Sequence, residues 1–147
     1  MRVCVDTNIL VDILKDEWRP FQDMLYGALT AGETLVIPTV VYGELMPQFG
    51  GKTKQIDTFL QDHKIRTEPL ELDAAVVAGS RWMRYLKRKT TLECPECGHG
   101  LAVREHFLSD FCIGGFALTR CQVVLTRDRS IYRTYFPELK GYKNCLD

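Results

Sequence analysis

Residues 2–10 read RVCVDTNIL, in which a short apolar run leads through one acid into a helical pattern. The β-rich run Arg2–Val5 is typical of a buried parallel strand. From residue 7 to residue 14 the apolar side chains follow helical spacing, which predicts a helix directly after the strand. Asp6 lies at the junction between the two. The stretch therefore predicts an α/β fold whose first strand ends on a carboxylate.

The rest of the chain alternates between strand-like and helix-like patterns in the same way. Such an alternation, with connections long enough for right-handed crossovers, predicts a mostly parallel central sheet flanked by helices. We expect a single domain over residues 1–147, with a small cysteine-containing insert at 90–105. The predicted elements are strands at 34–37 and 123–127, an extended segment at 66–72, helices at 21–31, 54–63, 74–89 and 106–119, and a helix starting at Pro38.

The composition suits one compact domain with a hydrophobic core, because 46% of the 147 residues are hydrophobic. Lys plus Arg number 19 and Asp plus Glu also number 19, so the chain lacks the overall basic charge of proteins that bind polyanions non-specifically. Any nucleic-acid contact is therefore expected to be local. There is no apolar run of about 18 residues and no leader-like start, so we expect no membrane span and a cytoplasmic location.

Four acids, Asp6, Glu44, Asp110 and Asp128, each stand where an apolar run meets a helix-like segment. Asp6 and Asp128 follow predicted parallel strands, and ligands of such sheets bind beyond the carboxyl ends of the strands. Taken singly, the acids have simpler explanations as helix N-caps, as a partner of a helix dipole or as an exposed helix residue. Those explanations do not account for the apolar neighbours of Glu44 and Asp110. Because clustered carboxylates repel one another unless cations neutralise them, the set predicts one acidic metal site.

In their order and approximate spacing, these acids and their neighbours resemble the PIN-domain ribonucleases, and within them the VapC-type toxins of prokaryotic toxin–antitoxin pairs. The resemblance spans nearly the whole chain. Any one motif is weak, but the ordered set is specific. The motifs are VDTNIL at 5–10, Glu44 within its helix, DFCI at 110–113 and LTRD at 125–128.

The resemblance implies a three-layer PIN-like fold and a metal-dependent endoribonuclease, in which the four acids hold one or two Mg²⁺ or Mn²⁺ ions. Asn8, Thr7 and Thr126 would orient the acids or the substrate. Asn8 also argues against phosphatases of the haloacid dehalogenase type, which have a second Asp at that position. Asp12, about one turn beyond Asn8, is expected to be exposed. The resemblance further implies an RNA substrate, a homodimer and an antitoxin protein as partner.

Four arginines are candidate substrate-binding residues. Arg127 and Arg129 flank the last acid, and Arg84 and Arg88 lie on the outer face of the predicted helix at 74–89. These side chains would position RNA phosphates, and Tyr85 at their margin would stack on a base. The alternative is that this helix face is simply solvated, which is the commoner role of charged helix faces.

The insert at 90–105 departs from the usual family pattern and resembles a zinc knuckle. Cys94 and Cys97 have C-x₂-C spacing followed by Gly, which lets backbone amides wrap the sulfurs, and His99 or His106 would complete a tetrahedral Zn²⁺ site. Its role would be structural. The alternatives are a reduced, metal-free loop and a reversible disulfide between the two cysteines.

Two classes of function remain for the chain. The first is the metal-dependent endoribonuclease, and the second is a non-catalytic PIN-like RNA-binding or assembly module that keeps the acids but has lost substrate access or metal affinity. The complete set of four acids favours the first. Choice of RNA target would depend on loop shape and single-strand contacts rather than on the metal site.

Overall fold

A parallel sheet forms the centre of the molecule, seen in a computed structural model that describes residues 1–88, 91–102 and 106–147. The strands are β1 (Arg2–Val5), β2 (Thr34–Pro38), β3 (Ile65–Glu68), β4 (Thr91–Glu93), β5 (Gly100–Ala102), β6 (Val123–Leu125) and β7 (Lys140–Gly141). Within the described ranges the central sheet has five strands in the order β3-β2-β1-β6-β7, and β4 pairs with β5 in a separate hairpin.

Helices flank this sheet and alternate with its strands. Among the described residues, no helix is both long enough and apolar enough to cross a membrane. The helices are α1 (Thr7–Lys15), α2 (Arg19–Thr30), α3 (Thr39–Leu45), α4 (Thr53–Asp62), α5 (Leu72–Arg88), α6 (Leu108–Arg120) and α7 (Arg129–Tyr135), with short 3₁₀ turns at Met46–Phe49 and Tyr142–Asn144.

Strand β1 lies in the middle of the sheet and pairs in parallel with β2 on one side and β6 on the other. Arg2 stands opposite Thr34, and Cys4 stands opposite Val124. The β1 side chains after Arg2 are fully buried, as expected for a parallel strand covered on both faces. The predicted fold class, a mostly parallel sheet flanked by helices, is confirmed.

Two glycines let α6 pack tightly between α5 and the C-terminal segment. A Cβ on Gly115 would lie 2.4 Å from the carbonyl oxygen of Ala74 and 3.2 Å from the Cβ of Ala78, both on α5. A Cβ on Gly114 would lie 2.4 Å from the ring of Phe136. Since protein interiors are close-packed, these positions fix how near α6 comes to its neighbours. The first turn of α6, which carries a predicted site acid, is positioned by this packing.

Helix α5 turns Tyr85 into the core rather than toward solvent. The ring centroid of Tyr85 lies 5.6 Å from that of Phe111 and 5.9 Å from that of Tyr135. The buried stripe of α5 runs through Ala74, Ala78 and Tyr85. The predicted base-stacking role of Tyr85 is therefore wrong. Apolar residues also lie next to this stripe in the sequence. The apolar pattern therefore determines which face of α5 points to the core only to within about one residue.

The insert contains an antiparallel hairpin in its described part. Thr91 pairs with Ala102, and Glu93 pairs with Gly100. Residues 90 and 103–105 of the predicted insert lie outside the described residues. The predicted helix after the insert begins at Leu108, two residues later than its expected start.

Candidate active site

The four predicted acids all lie at, or on helices next to, the carboxyl edge of the central sheet. Asp6 directly follows β1, and its amide donates to the carbonyl of Leu125, the last residue of β6, at 3.0 Å. Asp128 lies in the loop after β6 and caps α7. Glu44 is in α3, which directly follows β2, and Asp110 is in the first turn of α6. This edge is where ligands of parallel sheets bind.

Asp6 is the most deeply placed of these acids, with 7% of its surface exposed. Three side-chain donors converge on its Oδ2: Thr126 Oγ1 at 2.7 Å, Tyr132 OH at 3.0 Å and Asn8 Nδ2 at 3.4 Å. Burial nevertheless raises the pKa of Asp6 to about 6, because loss of water disfavours the charged carboxylate more than these donors favour it. The carboxylate is thus held in one orientation by neutral donors.

The acids also affect one another's pKa. Burial is the largest cause of the raised pKa of Asp6, Glu44 and Asp110. The charge of Asp110 adds to the rise for Asp6 and Glu44, and the charge of Asp128 adds to the rise for Asp110. Because charge–charge effects weaken with distance, these couplings indicate that the four carboxylates share one region. A bound cation would remove this repulsion, so the residues present fit a divalent metal.

Two hydroxyl groups connect Glu44 to the neighbouring acids. Thr7, next to Asp6 in the chain, donates from Oγ1 to Glu44 Oε1 at 2.9 Å. Ser109, next to Asp110, lies 3.5 Å from Glu44 Oε2 through its Oγ. Glu44 is partly buried, so its explanation as an exposed helix residue is wrong.

The explanation as a helix N-cap holds for Asp128 and not for Asp6, whereas Asp110 lies in the first turn of α6, where an acid complements the helix dipole. Asp110 Oδ2 accepts the amide of Phe107 at 2.9 Å, and Asp128 Oδ1 accepts the amide of Ser130 at 3.1 Å. Asp6 stands at the N-cap position of α1 but makes no side-chain capping hydrogen bond. Capping therefore contributes to the placement of Asp110 and Asp128 but does not account for a buried acid at position 6.

Asn8 and Thr126 join the two loops that carry the strand-end aspartates. Asn8 Oδ1 accepts the amide of Arg127 at 3.2 Å, and its Nδ2 lies 3.3 Å from Thr126 Oγ1. Thr126 Oγ1, besides donating to Asp6, accepts the amide of Asp128 at 3.0 Å. This geometry corresponds to the orienting role that the resemblance implies for both residues.

Two residues of the site were not predicted correctly from the sequence, because Tyr132 was not identified and Asp12 was expected to be exposed. Tyr132, a fully buried donor to Asp6, carries no sequence signal that separates it from an ordinary core tyrosine. Asp12, expected to be exposed, is 1% exposed and accepts two hydrogen bonds from Arg127, from Nε at 2.9 Å and from Nη2 at 3.0 Å. Its position one turn after Asn8 was the available hint, since both side chains share a helix face.

The other candidate substrate-binding arginines are exposed. Arg129 is the first residue of α7, directly after Asp128. Arg84 and Arg88 lie on α5, and the guanidinium of Arg88 lies 5.9 Å from the ring centroid of Tyr135. Arg127 differs from these three because Asp12 holds its guanidinium.

The cysteine turn of the insert has some knuckle-like features. The Cys94 amide donates to the carbonyl of His99 at 2.8 Å, and the Gly98 amide donates to the carbonyl of Cys94 at 2.9 Å. Hydrogen bonds from the amides of Glu96 and then Cys97 lower the pKa of the Cys94 thiol. Backbone amides therefore reach that sulfur, as expected for a thiolate ligand.

His106, the other histidine predicted for zinc, lies beside the acids. Its Nδ1 is 3.9 Å from Asp128 Oδ2, its Nε2 is 3.4 Å from Ser130 Oγ, and its ring packs edge-on to Tyr85. Its ring is buried in this position. The zinc site at the insert stays a prediction.

Across the parts of the chain that the structure describes, no group of three or more His, Cys, Asp or Glu side chains is arranged to ligate a metal ion directly. Mg²⁺ commonly takes only one or two carboxylates and keeps several waters. A magnesium site at this edge therefore does not require three acids in direct contact with the ion.

Comparisons with known proteins give a family and a fold. A family model described as PIN domain matches residues 3–137. Among solved structures, a chain of the crystal structure of VapBC2 from Rickettsia felis bound to a DNA fragment from their promoter is similar, with a TM-score of 0.66 and 16% sequence identity. The alignment covers 96% of this chain and 97% of that one. No curated protein matches the sequence.

Proposed function

The chain belongs to the PIN-domain family, and on that premise we propose that it is a metal-dependent endoribonuclease that hydrolyses RNA phosphodiester bonds. PIN domains are generally metal-dependent nucleases. The observation that best supports the proposal is the set of four carboxylates at the carboxyl edge of the sheet, in which the charge of Asp110 acts on Asp6 and Glu44 and the charge of Asp128 acts on Asp110. A purely structural role does not explain why one fold would gather acids that disfavour one another's ionisation in this way.

In this proposal Asp6, Glu44, Asp110 and Asp128 hold one or two Mg²⁺ or Mn²⁺ ions. An all-carboxylate donor set suits such hard cations better than softer metals. A bound ion of this kind lowers the pKa of its water and stabilises negative charge on phosphoryl oxygens. The protein's part is to hold the acids in place.

The side chains around the acids supply that positioning. The three donors to Asp6 Oδ2 fix the orientation of this carboxylate through hydrogen bonds of 2.7 to 3.4 Å. Thr7 does the same for one oxygen of Glu44. Because outer-shell partners of metal ligands strongly affect metal affinity, we expect these residues to affect activity without touching the ion.

Phosphate contacts are proposed for Arg129, Arg84 and Arg88, all of which are exposed. Arg129 is the nearest in sequence to an acid of the site, so it is the first to test. An arginine that contacts one phosphate contributes about one to the slope of log affinity against log salt. Arg129→Gln is therefore expected to weaken RNA binding and to lower that slope by about one, and an unchanged slope would remove Arg129 from the contact set.

We further propose that the protein is the toxin of a toxin–antitoxin pair. Membership of the PIN family and the fold shared with a chain of the VapBC2 complex support this proposal. The partner would be an antitoxin protein, and the site of action the cytoplasm. Induced expression in a bacterial host should arrest growth for the native protein and not for Asp6→Asn. Continued growth with native protein at the same expression level would count against toxicity.

We also propose that two copies of the chain associate as a homodimer. Helix α5 exposes Leu72, Val76 and Met83, which share one helix face. A contiguous exposed apolar face commonly marks a protein–protein contact. Sedimentation should give a dimer mass for native protein and a monomer mass for Val76→Glu, whereas a native monomer at all concentrations would overturn the homodimer.

The ribonuclease is tested by cleavage of a mixed pool of structured and single-stranded RNAs with Mn²⁺ or Mg²⁺. Native protein should cut, and native protein with EDTA or the Asp6→Asn variant should not. Asp23→Asn, which removes an exposed acid on α2, is the matched control and should cut like native protein. Cutting that survives both EDTA and Asp6→Asn would overturn the proposal. Absence of cutting by native protein would favour the non-catalytic RNA-binding or assembly module.

A further inference from the structure

An exposed tryptophan stands between α1 and α2. Trp18 keeps 56% of its surface exposed, and its backbone is left-handed, with a φ of 52°. Residues with side chains rarely adopt this conformation, because it costs energy that contacts with the surroundings must offset. Its carbonyl accepts the amide of Phe21 at 2.9 Å at the start of α2. The indole ring is therefore presented to solvent by an ordered backbone.

One face of the Trp18 ring is covered by a fixed cation. The Arg127 guanidinium carbon lies 4.7 Å from the ring centroid, within the range of a cation–π contact. Asp12, which is almost fully buried, anchors the same guanidinium with two hydrogen bonds. Trp18, Arg127 and Asp12 thus form an ordered stack. Since more than half of the surface of Trp18 remains exposed, the residue can still contact a further group from solvent.

This stack is connected directly to the candidate active site. Arg127 lies between Thr126, which donates to Asp6, and Asp128. Its amide donates to Asn8 at 3.2 Å. At 1.5 Å of rise per residue, Asp12 lies about 9 Å along α1 from Asp6. The tryptophan is therefore linked through the side chain of Arg127 to the loop that carries Asp128, a separation that a nucleotide next to one bound at the acids could span.

We propose that Trp18 stacks on a base of single-stranded RNA whose scissile phosphate lies at the four acids, an inference that rests on the proposed ribonuclease function. An aromatic ring accepts any base, because every base has a flat π face. With no overall positive charge on the chain, long-range attraction of the phosphate backbone is weak, so base stacking would add to the few local phosphate contacts proposed for the exposed arginines. A single exposed apolar residue is ordinary, but a tryptophan layered on an anchored arginine beside the acids is a built surface.

Three substitutions separate stacking from other roles of this residue. Trp18→Leu removes the aromatic ring but keeps an apolar side chain, and Trp18→Phe keeps an aromatic ring. Tyr26→Ala is the matched control, because Tyr26 is also a half-exposed aromatic on α2 but packs against His63, which precedes β3 at the opposite edge of the sheet. The melting temperature of each variant establishes that it is folded.

Binding is measured for a short labelled oligoadenylate and for the same ribose-phosphate chain without bases. Each variant also carries Asp6→Asn, which prevents cleavage during the measurement. Base stacking is worth about five- to 150-fold in affinity. Trp18→Leu should weaken oligoadenylate binding by a factor in that range and leave the abasic chain unaffected. Trp18→Phe should keep most of the affinity, and Tyr26→Ala should bind like the parent. In cleavage by protein with intact Asp6, Trp18→Leu should raise KM and leave kcat nearly unchanged.

Base stacking by Trp18 and RNA cleavage at the acids can be tested separately. Metal-dependent cleavage with unaltered oligoadenylate binding by Trp18→Leu would overturn the stacking role and leave the ribonuclease standing. Equal loss of affinity for the two RNAs would also overturn stacking. If native protein neither binds nor cleaves RNA, the ribonuclease and the stacking role fall together, and a protein partner becomes the better occupant of the tryptophan.

Discussion

The hydroxyl of Tyr132 donates a hydrogen bond to Oδ2 of Asp6 at 3.0 Å, and both residues are buried. The pair joins α7 to the end of β1 across the site. Hydrogen bonds to a charged group are stronger than those between neutral groups, and they favour the ionised carboxylate. The tyrosine therefore opposes the effect of burial on Asp6 and restricts how its carboxylate can turn.

Removal of this hydroxyl should slow catalysis in a protein that still folds. Tyr132→Phe keeps the ring but releases one of the donors to Asp6, and a hydrogen bond to a charged group contributes about 1.5–3 kcal/mol. We expect kcat for RNA cleavage to fall by about tenfold or more with KM nearly unchanged. Tyr135→Phe, at another buried tyrosine of α7, is the control and should keep native kcat. An equal effect of the two substitutions would show that Tyr132 does not position Asp6.

Asp6 should lower the stability of the metal-free protein at neutral pH. Its pKa rises from 3.8 to about 6 in the folded state, so folding favours the protonated acid. The advantage is complete below about pH 4 and is lost as pH rises through 6. In Asp6→Asn this acid cannot ionise. The variant should therefore gain stability relative to native protein across that range, reaching about 3 kcal/mol at pH 7.

Denaturant unfolding in EDTA at several pH values measures this difference. The gain should grow between about pH 4 and pH 6 and then level off. Addition of Mn²⁺ should stabilise native protein and not the variant, since only a ligand that binds the folded state raises stability. A stability difference that stays constant with pH would contradict the raised pKa of Asp6.

Asp6, Asp110 and Asp128 could be predicted from the sequence because each marks the end of a strand or the start of a helix. Glu44 lies near the end of α3 and was indicated by its apolar neighbours and by its place in the order of the motifs. Tyr132 and the burial of Asp12 could not be found this way. Both depend on how α7 and the loop after β6 fold back onto α1, and no local pattern encodes that contact. Tyr85 was misassigned because the apolar pattern of α5 determines its rotation only approximately.

The close contact between α5 and α6 can be tested by comparing a tightly packed glycine with a glycine that has open space around it. Gly115→Ala places a methyl group 2.4 Å from the carbonyl oxygen of Ala74, and such overpacking costs about 1–3 kcal/mol. Gly79→Ala, on α5, meets nothing within 4 Å and should stabilise the protein by about 0.5–1 kcal/mol. Thermal melts of the two variants should therefore shift in opposite directions. Equal shifts would mean that the close approach of α6 to α5 is wrong.

Zinc at the cysteine turn is tested by metal analysis of protein purified without chelators. If Cys94 and Cys97 hold a structural ion, the native protein should carry Zn²⁺, and a chelator should lower its melting temperature. The Cys94→Ser and Cys97→Ser double variant should lose the metal and the response to chelator while retaining RNA cleavage. Native protein without zinc, with a melting temperature that does not respond to chelation, would leave the turn as a metal-free loop.

The acids at the carboxyl edge of the sheet are expected to bind the divalent ion with which RNA is cut. The rate of cleavage of one RNA against Mn²⁺ concentration tests it most directly, with Asp110→Asn as the variant because Asp110 is coupled to each of the other three acids. We expect a saturable rise in rate for native protein and for Asp23→Asn, and no rise for Asp110→Asn. Cleavage by Asp110→Asn at the native rate and with the native Mn²⁺ dependence would show that Asp110 does not hold the ion needed for cutting.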